Sequence, residues 1–268
     1  MERPAWVGPD IDLSKPSPAR VYDVYLGGAH NFQVDREAAQ RVVDVMPDLP
    51  RILRANRAFL RRAVRHLVDQ GVTQFLDLGS GIPTAGNVHE VAWARDPECR
   101  IVYVDVDPVA AAHSRAILHG CDNATVVQAD LRSTDEVLRH PETVRTLDFT
   151  RPVGVLMFAV LHFVPDADQP GEIVRRYLDA TAPGSHLALS HASLEGEADR
   201  AEEATEQYRT QVTEFSMRTR AEITDLFGDL TLVDPGVVYP TEWRPEVGDE
   251  DPDPKRMSTF VGVGRKDA

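Results

Sequence analysis

Phe75-Leu76-Asp77-Leu78-Gly79-Ser80-Gly81-Ile82-Pro83, followed by Ile101-Val102-Tyr103-Val104-Asp105-Val106-Asp107-Pro108, decides how this chain is read. The first stretch is a short apolar strand running into a loop with two glycines, where the missing side chains let backbone N–H groups come close to a ligand. The second is another apolar strand that ends in carboxylates, one of which can take both hydroxyls of a ribose. Together they predict a nucleoside site. Two details choose among nucleosides. Asp77 stands just before the glycines, and Pro83 and Thr84 occupy the stretch where a dinucleotide fingerprint needs its third glycine. A nicotinamide dehydrogenase is disfavoured on both counts. S-adenosylmethionine has no phosphate, carries a sulfonium and an ammonium, and is better served by an acid-lined pocket.

Outward from that stretch, strands and helices alternate. Strands are expected at Gln74 to Leu78, Ile101 to Val104, Ala124 to Gln128, Val153 to Phe158 and His186 to Ser190. Helices are expected near Ala85 to Arg95, Val109 to His119, Thr134 to His140 and Gly171 to Thr181. Such alternation predicts a parallel sheet covered on both faces. Before it, Ile52 to Val68 has apolar residues at helical spacing, with Arg54, Arg57, Arg61 and Arg65 largely on the other side and Gly71 as its stop. The segment before Asn31 reads as an arm with a turn at Gly27-Gly28. After Ser193 a charged amphipathic stretch ends near Tyr208, then a helix at Arg220 to Phe227 precedes strands at Leu230 to Val238 and Thr259 to Gly264.

Composition limits the function. With 268 residues, 42% of them hydrophobic, the chain can bury one large core or a core plus a small cap. Two cysteines argue against a disulfide framework or a zinc cluster, so no metal site is expected, and a reducing cytoplasm is the simplest home. Met1 to Lys15 has no apolar stretch of signal type, and no window has the length of a membrane span. A net charge of −14 would repel a phosphate backbone, so nucleic acid is not an expected partner. The oligomeric state is not readable.

Several segments resemble a known family. D-L-G-S-G followed by V-D-V-D-P resembles the first motif and the next acidic strand end of class I S-adenosylmethionine-dependent methyltransferases. S-P-A-R-V-Y-D-V-Y-L-G-G-A-H-N-F, N-R-A-F-L-R-R-A-V-R, G-S-G-I-P-T-A-G-N-V-H-E, V-L-H-F-V-P-D and E-W-R-P are together similar to an actinobacterial S-adenosyl methyltransferase family formerly catalogued as a domain of unknown function. The resemblance runs from about Ser17 to the C-terminus. It implies a Rossmann-like, seven-stranded, mostly parallel α/β sheet with helices on both faces and an N-terminal helical cap. The domains expected are 1–70 for arm and cap helices and 71–268 for the methyltransferase domain, with a helical insertion near 194–217. It also implies S-adenosylmethionine as cofactor, S-adenosylhomocysteine as product and a small-molecule acceptor. The alternative is a non-catalytic protein that binds the cofactor to sense or regulate.

Individual positions follow. Gly79 and Gly81, with Ser80 between them, would line the methionine and ribose portions of the cofactor; a tight strand-to-helix turn is the other reading. Asp77 can accept from the cofactor ammonium or hold the loop through backbone N–H groups. Asp105 is the ribose ligand unless it caps the following helix, a duty for which Asp107 is better placed. Val106 and Leu131 flank the nucleoside. Asp130 resembles the residue that meets the adenine amino group in this superfamily, or else caps a helix. Ala159 faces the crevice beyond the strand ends, and His162 could orient a nucleophile or take its proton. His191 carries the same ambiguity, while His89 and Cys99 read as structural. Arg20, Tyr22, Asp23, Tyr25, His30 and Asn31 form the substrate or lid set, unless Tyr22 and Phe32 only anchor the arm. Asn56 is a buried amide that needs partners. Trp243 either closes the pocket or packs.

Overall fold

The computed structural model describes residues 13–83, 86–195, 198–248 and 251–267. Seven strands form one sheet: β1 (Gln74–Leu78), β2 (Arg100–Asp105), β3 (Ala124–Gln128), β4 (Gly154–Phe158), β5 (His186–Ala192), β6 (Thr231–Leu232) and β7 (Thr259–Arg265). Their order is β3-β2-β1-β4-β5-β7-β6. The first five pair in parallel, and β7 runs antiparallel to both β5 and β6. The order reverses at β1 and β4, and a crevice opens there beyond the strand ends.

The strands are mostly apolar because both sheet faces are covered. Alternate residues feed two cores. Leu76, Leu78, Val102, Val104, Val155 and Met157 face one side, with Tyr177 and Ile223 from α8 (Pro170–Asp179) and α10 (Arg220–Asp225). Phe75, Ile101, Tyr103, Leu156 and Phe158 face the other, under α3 (Leu49–Asp69), α4 (Val88–Trp93) and α5 (Pro108–Ile117). The remaining helices are α1 (Pro18–Tyr25), α2 (Gln33–Val45), α6 (Thr134–Arg139), α7 (Pro141–Thr146) and α9 (Ala198–Gln211). A third cluster joins Val21 and Tyr25 of α1, Ala38, Ala39 and Val42 of α2, Ile52 of α3, and Ala204 and Tyr208 of α9. Helix α3 therefore belongs to two cores: its first turn to this cap and the rest to the sheet. No helix among the described residues is long and apolar enough to cross a membrane.

Four expectations are corrected. The arm before Asn31 contains a helix, because Ser17 and Pro18 supply a start: the Ser17 hydroxyl accepts from the Arg20 N–H at 3.4 Å, and proline fits the first helical turn. Helix α7 was not expected; His140 ends α6, caps α7 by accepting from Glu142 N–H at 3.2 Å, and Pro141 starts it. The strand from Leu230 to Val238 shrinks to two residues plus a bridge between Val238 and Val261. The Asp234-Pro235-Gly236 turn interrupts it, and a proline has no N–H for the ladder. The expected helix start at Ala85 lies outside the described residues, which place α4 at Val88–Trp93.

Gly79 sits where the sheet and the loop meet. Its φ is +73°, and a β-carbon there would lie 2.2 Å from Val160 Cγ2. Gly79→Ala should lower the unfolding free energy in urea by about 1–3 kcal/mol. Adding Val160→Ala should return part of that loss. Strictly additive penalties in the double variant would show that the clash is not the cause.

Candidate active site

The crevice at the ends of β1, β2, β3 and β4 is a cavity of about 310 Å³, and all ten cofactor positions read from the sequence lie on its wall. The glycine turn works differently from the expectation. The Gly79 and Ser80 N–H groups both donate to Val104 O, at 2.8 and 3.1 Å, and the Gly81 N–H donates to Asp105 Oδ2 at 2.7 Å. Those three donors tie the loop to β2, so they are not turned to a ligand. The Ser80 hydroxyl is buried without a partner.

Asp105 is 8% exposed and holds two loops at once, since its Oδ1 also accepts from the Asp107 N–H at 2.8 Å. Burial pushes its pKa up to about 6 against the lowering effect of those N–H groups. Asp107 is the N-cap of α5, accepting from Val109 and Ala110 N–H at 2.7 and 3.2 Å, and its other oxygen takes the Ser17 hydroxyl. Asp77 makes no hydrogen bond among the described residues, so it does not fasten the loop. Burial pushes its pKa up to about 7, with Arg57 pulling down and Asp105 pushing up. Asp130 is no helix cap. Despite burial that raises its pKa, the Arg132 guanidinium and N–H hold it low, and Arg132 reaches on to Asp168 at 2.8 Å. Val106 is 65% exposed at the lip.

A second cavity of about 80 Å³ adjoins the first, and Tyr22, Asn56, Ala159 and Phe163 line both. Ala159 stands at the junction with φ +50°, an unusual conformation for a residue with a side chain, held by its N–H donating to Ser190 O and Oγ at 3.1 and 2.9 Å. His162 lies on the second cavity only. Its ring makes no hydrogen bond, its Nδ1 is buried, and it packs 4.5 Å from Phe215. Burial, helped by His191 and Arg218, drives its pKa well below the usual histidine value, so it is neutral at pH 7. His191 is committed elsewhere: Nδ1 pairs with Ala192 O at 2.7 Å and Nε2 with Arg218 at 2.6 Å.

The N-terminal set divides. Tyr22 and Tyr25 reach the second cavity. Arg20, Asp23, His30 and Asn31 line neither cavity. Arg20 pairs with Asp35 at 3.1 Å in a buried contact. Asp23 closes the turn by accepting from His30 N–H and Asn31 Nδ2, both at 2.9 Å, and fills the space a β-carbon on Gly28 would need, 2.0 Å away. His30 packs edge-on to His113 at 4.1 Å. Trp243 is fully buried against Phe59 and His66 and meets no cavity. His89 bonds the Tyr103 hydroxyl, and Cys99 is core.

Sequence reasoning missed Arg57. Helical periodicity put it on the solvent side of α3, yet it lines the large cavity with its Nε unpartnered and its NH2 donating to Gly86 O at 3.1 Å. It also missed the second cavity, whose wall draws on α1, α2, α3, β5, α9 and the segment after it. The charge lying within a turn of Asn56 was the only signal for Arg57. Asn56 donates to the Tyr22 hydroxyl at 3.0 Å, as its need for partners suggested, and its Oδ1 stays unpaired.

Strand order and crevice define a Rossmann-like methyltransferase fold. The profile of the S-adenosyl methyltransferase family matches residues 4–267. A crystal structure of a Thermobifida fusca protein assigned as a methyltransferase is 40% identical, with a TM-score of 0.92 over 98% of this chain and 100% of that one. A Streptomyces avermitilis protein of a family catalogued by its unknown function is 37% identical, with a TM-score of 0.92 over 95% of this chain and 99% of that one. An O-methyltransferase family protein of Burkholderia thailandensis shares the fold alone, at 14% identity and a TM-score of 0.54 over 88% of this chain and 71% of that one. No curated protein matches the chain. The chain belongs to the S-adenosyl methyltransferase family, and it is an S-adenosylmethionine-dependent methyltransferase.

The segment carrying His162 hangs on one side chain. Arg218, 6% exposed, donates to Leu161 O, Val164 O and Asp166 Oδ1 at 3.0, 2.9 and 2.6 Å. Arg218→Leu should cost about 3 kcal/mol in urea unfolding, because it strands buried carbonyls. A loss under about 0.5 kcal/mol would show that water replaces the guanidinium there.

Proposed function

We propose that the large crevice holds S-adenosylmethionine and that the chain passes its methyl group to a small molecule seated in the second cavity. Asp77 carries the reading: a buried carboxylate without a hydrogen bond, facing the crevice, with its pKa pushed up to about 7. Such a group is costly to ionise alone and far less so beside a cation, and the amino-acid end of this cofactor brings an ammonium. The other residues fit the rest of it. Arg57 suits the carboxylate. Each Asp105 oxygen keeps a lone pair for the ribose hydroxyls beyond the N–H it already accepts. Ser80, Gly79, Gly81 and Asp107 frame that end, and Val106, Asp130 and Leu131 border the base.

The bound cofactor supplies a methyl group on a sulfonium, ready for attack. The chain itself supplies position. Asp77, Arg57 and Asp105 would hold the cofactor, and its methyl group would go to an oxygen or nitrogen of the acceptor, the carbon–sulfur electron pair staying on sulfur. The neutral His162 ring, which has no competing partner, accepts a hydrogen bond from the acceptor's O–H or N–H and orients it, and the proton is released to solvent. Tyr22 spans both cavities and keeps water from the junction.

A protein that only senses the cofactor has no use for a second cavity walled in part by the same residues, so that cavity favours turnover. Residues 1–70 and the insertion near 194–217 then act as a cap over the domain at 71–268, with Arg20, Asp23, His30 and Asn31 as its frame. Free Cys99 and Cys121 support a reducing cytoplasm, and the charge of −14 argues against nucleic acid.

Isothermal titration tests the assignment. The protein should bind S-adenosylhomocysteine and ignore NAD; saturable NAD binding with no response to the adenosyl ligand would overturn it. Asp77→Asn should weaken S-adenosylhomocysteine about ten- to a hundredfold, the loss of a hydrogen bond to a charged group. In the unaltered protein Asp77 must release its proton to pair with an ammonium. Affinity should therefore rise with pH up to about 7 and flatten above, and the rise should vanish in Asp77→Asn.

A further inference from the structure

The second cavity carries chemistry of its own. Among the described residues no Asp, Glu, Lys or Arg lines it. An ionised group placed there would lose its hydration without a counter-charge, a penalty large enough to exclude anions and cations alike. The walls are aromatic and aliphatic. Phe215 lies 4.5 Å from His162, 5.0 Å from Tyr208 and 5.6 Å from Phe163, and Leu53 and Met217 complete the enclosure. Stacked and edge-on rings of this kind favour a flat guest. Size sets a limit: a cavity of roughly 150 Å³ takes up benzene, and this one is about 80 Å³, so a single ring is already its upper bound.

Polar atoms on its wall residues are left over. Asn56 Oδ1, His162 Nδ1, Tyr25 Oη and Ser258 Oγ are all buried without a partner. Burial raises the Tyr22 and Tyr25 pKa values, so both remain neutral phenols. Buried polar groups without partners are rare in folded chains, and a cluster of them around one cavity calls for a guest that pairs with some. Asn56 matters most because it belongs to both cavities. Its Nδ2 is committed to Tyr22, which leaves an acceptor oxygen beside the junction.

We infer that the methyl acceptor is an uncharged molecule no larger than a single aromatic ring, carrying a hydroxyl or N–H that donates to Asn56 or His162. The inference rests on the assignment of the large crevice to the cofactor. A charged acceptor or a fused-ring one is outside it.

The test uses the full chain saturated with S-adenosylhomocysteine and reads ligand-observed NMR for phenol, 2-naphthol, benzoate and benzylamine at pH 7.5. Phenol should bind, and benzoate and benzylammonium should bind at least about tenfold more weakly, as the uncompensated charge requires. Ala204→Trp, which fills the second cavity only, should abolish the phenol signal while calorimetry shows S-adenosylhomocysteine affinity unchanged. If that variant does not fold, Ala204→Leu serves as the smaller filler. Asn56→Leu should weaken phenol more than it weakens benzene, whose binding needs no acceptor atom. Equal binding of benzoate or of 2-naphthol, or no phenol binding while S-adenosylhomocysteine binds, would overturn the acceptor class and leave the cofactor assignment standing. Failure of S-adenosylhomocysteine itself to bind would instead remove the assignment on which the inference rests.

Discussion

Everything at the catalytic end of the sheet hangs on one carboxylate, Asp105. It receives the Gly81 N–H from the loop after β1 and the Asp107 N–H from the start of α5, so the two ligand-facing turns are fastened to each other. Asp107, fixed in this way, caps α5 and takes the hydroxyl of Ser17, which caps α1. The cap over the cavities is thus linked to the strand end through a short series of polar contacts. An alanine at 105 would loosen the turns as well as remove the proposed ribose partner, so its effect on affinity mixes two causes, and Asp77, which fastens nothing, is the cleaner probe.

Holding two carboxylates in one buried crevice has a cost. Asp77 and Asp105 both have pKa values raised, to about 7 and about 6, chiefly by burial, with Asp105 adding to the rise at Asp77 and Asp107 to that at Asp105. In the folded chain these two carboxyls therefore keep protons that they would release in the unfolded one between about pH 4 and 7. Their own contribution to stability without ligand falls as pH climbs through that window, opposite in sign to that of the buried histidines such as His162 and His191, whose pKa values are lowered. A cationic ligand reverses the balance, because it stabilises the ionised form. The instability of the empty crevice and its preference for a sulfonium and an ammonium have one origin.

The sheet was legible because its information is local. Gln74 to Leu78 and Ala124 to Gln128 are bounded by turn residues and apolar within, and both strands sit where the pattern put them. The glycine turn was legible as a wall of the crevice, but the direction of its N–H groups was not, since Val104 O takes two of them across a strand pairing that no motif states. Helix α1 was readable in principle from Ser17-Pro18 and was obscured by Gly27-Gly28. Arg57 shows a deeper limit. Periodicity reports which face of a helix is polar and cannot say whether that face meets solvent or a cavity. The second cavity is the extreme case: Val42, Leu53, His162, Tyr208 and Ser258 come from five separate parts of the chain.

Ala159 is where the two cavities must be reconciled. It ends β4 in a left-handed conformation that a side-chain-bearing residue adopts at a cost of about 1–3 kcal/mol. The Ser190 carbonyl and hydroxyl both hold its N–H in that state. The turn directs the chain away from the sheet just after Phe158, so that Val160 packs on Gly79 while His162 swings to the far side among Phe163 and Phe215. A relaxed extended residue at 159 would continue the strand line and carry Val160 off the glycine turn. The strain is thus the local condition for two chemically different compartments, acidic on one side of Ala159 and uncharged on the other, to meet at a single wall.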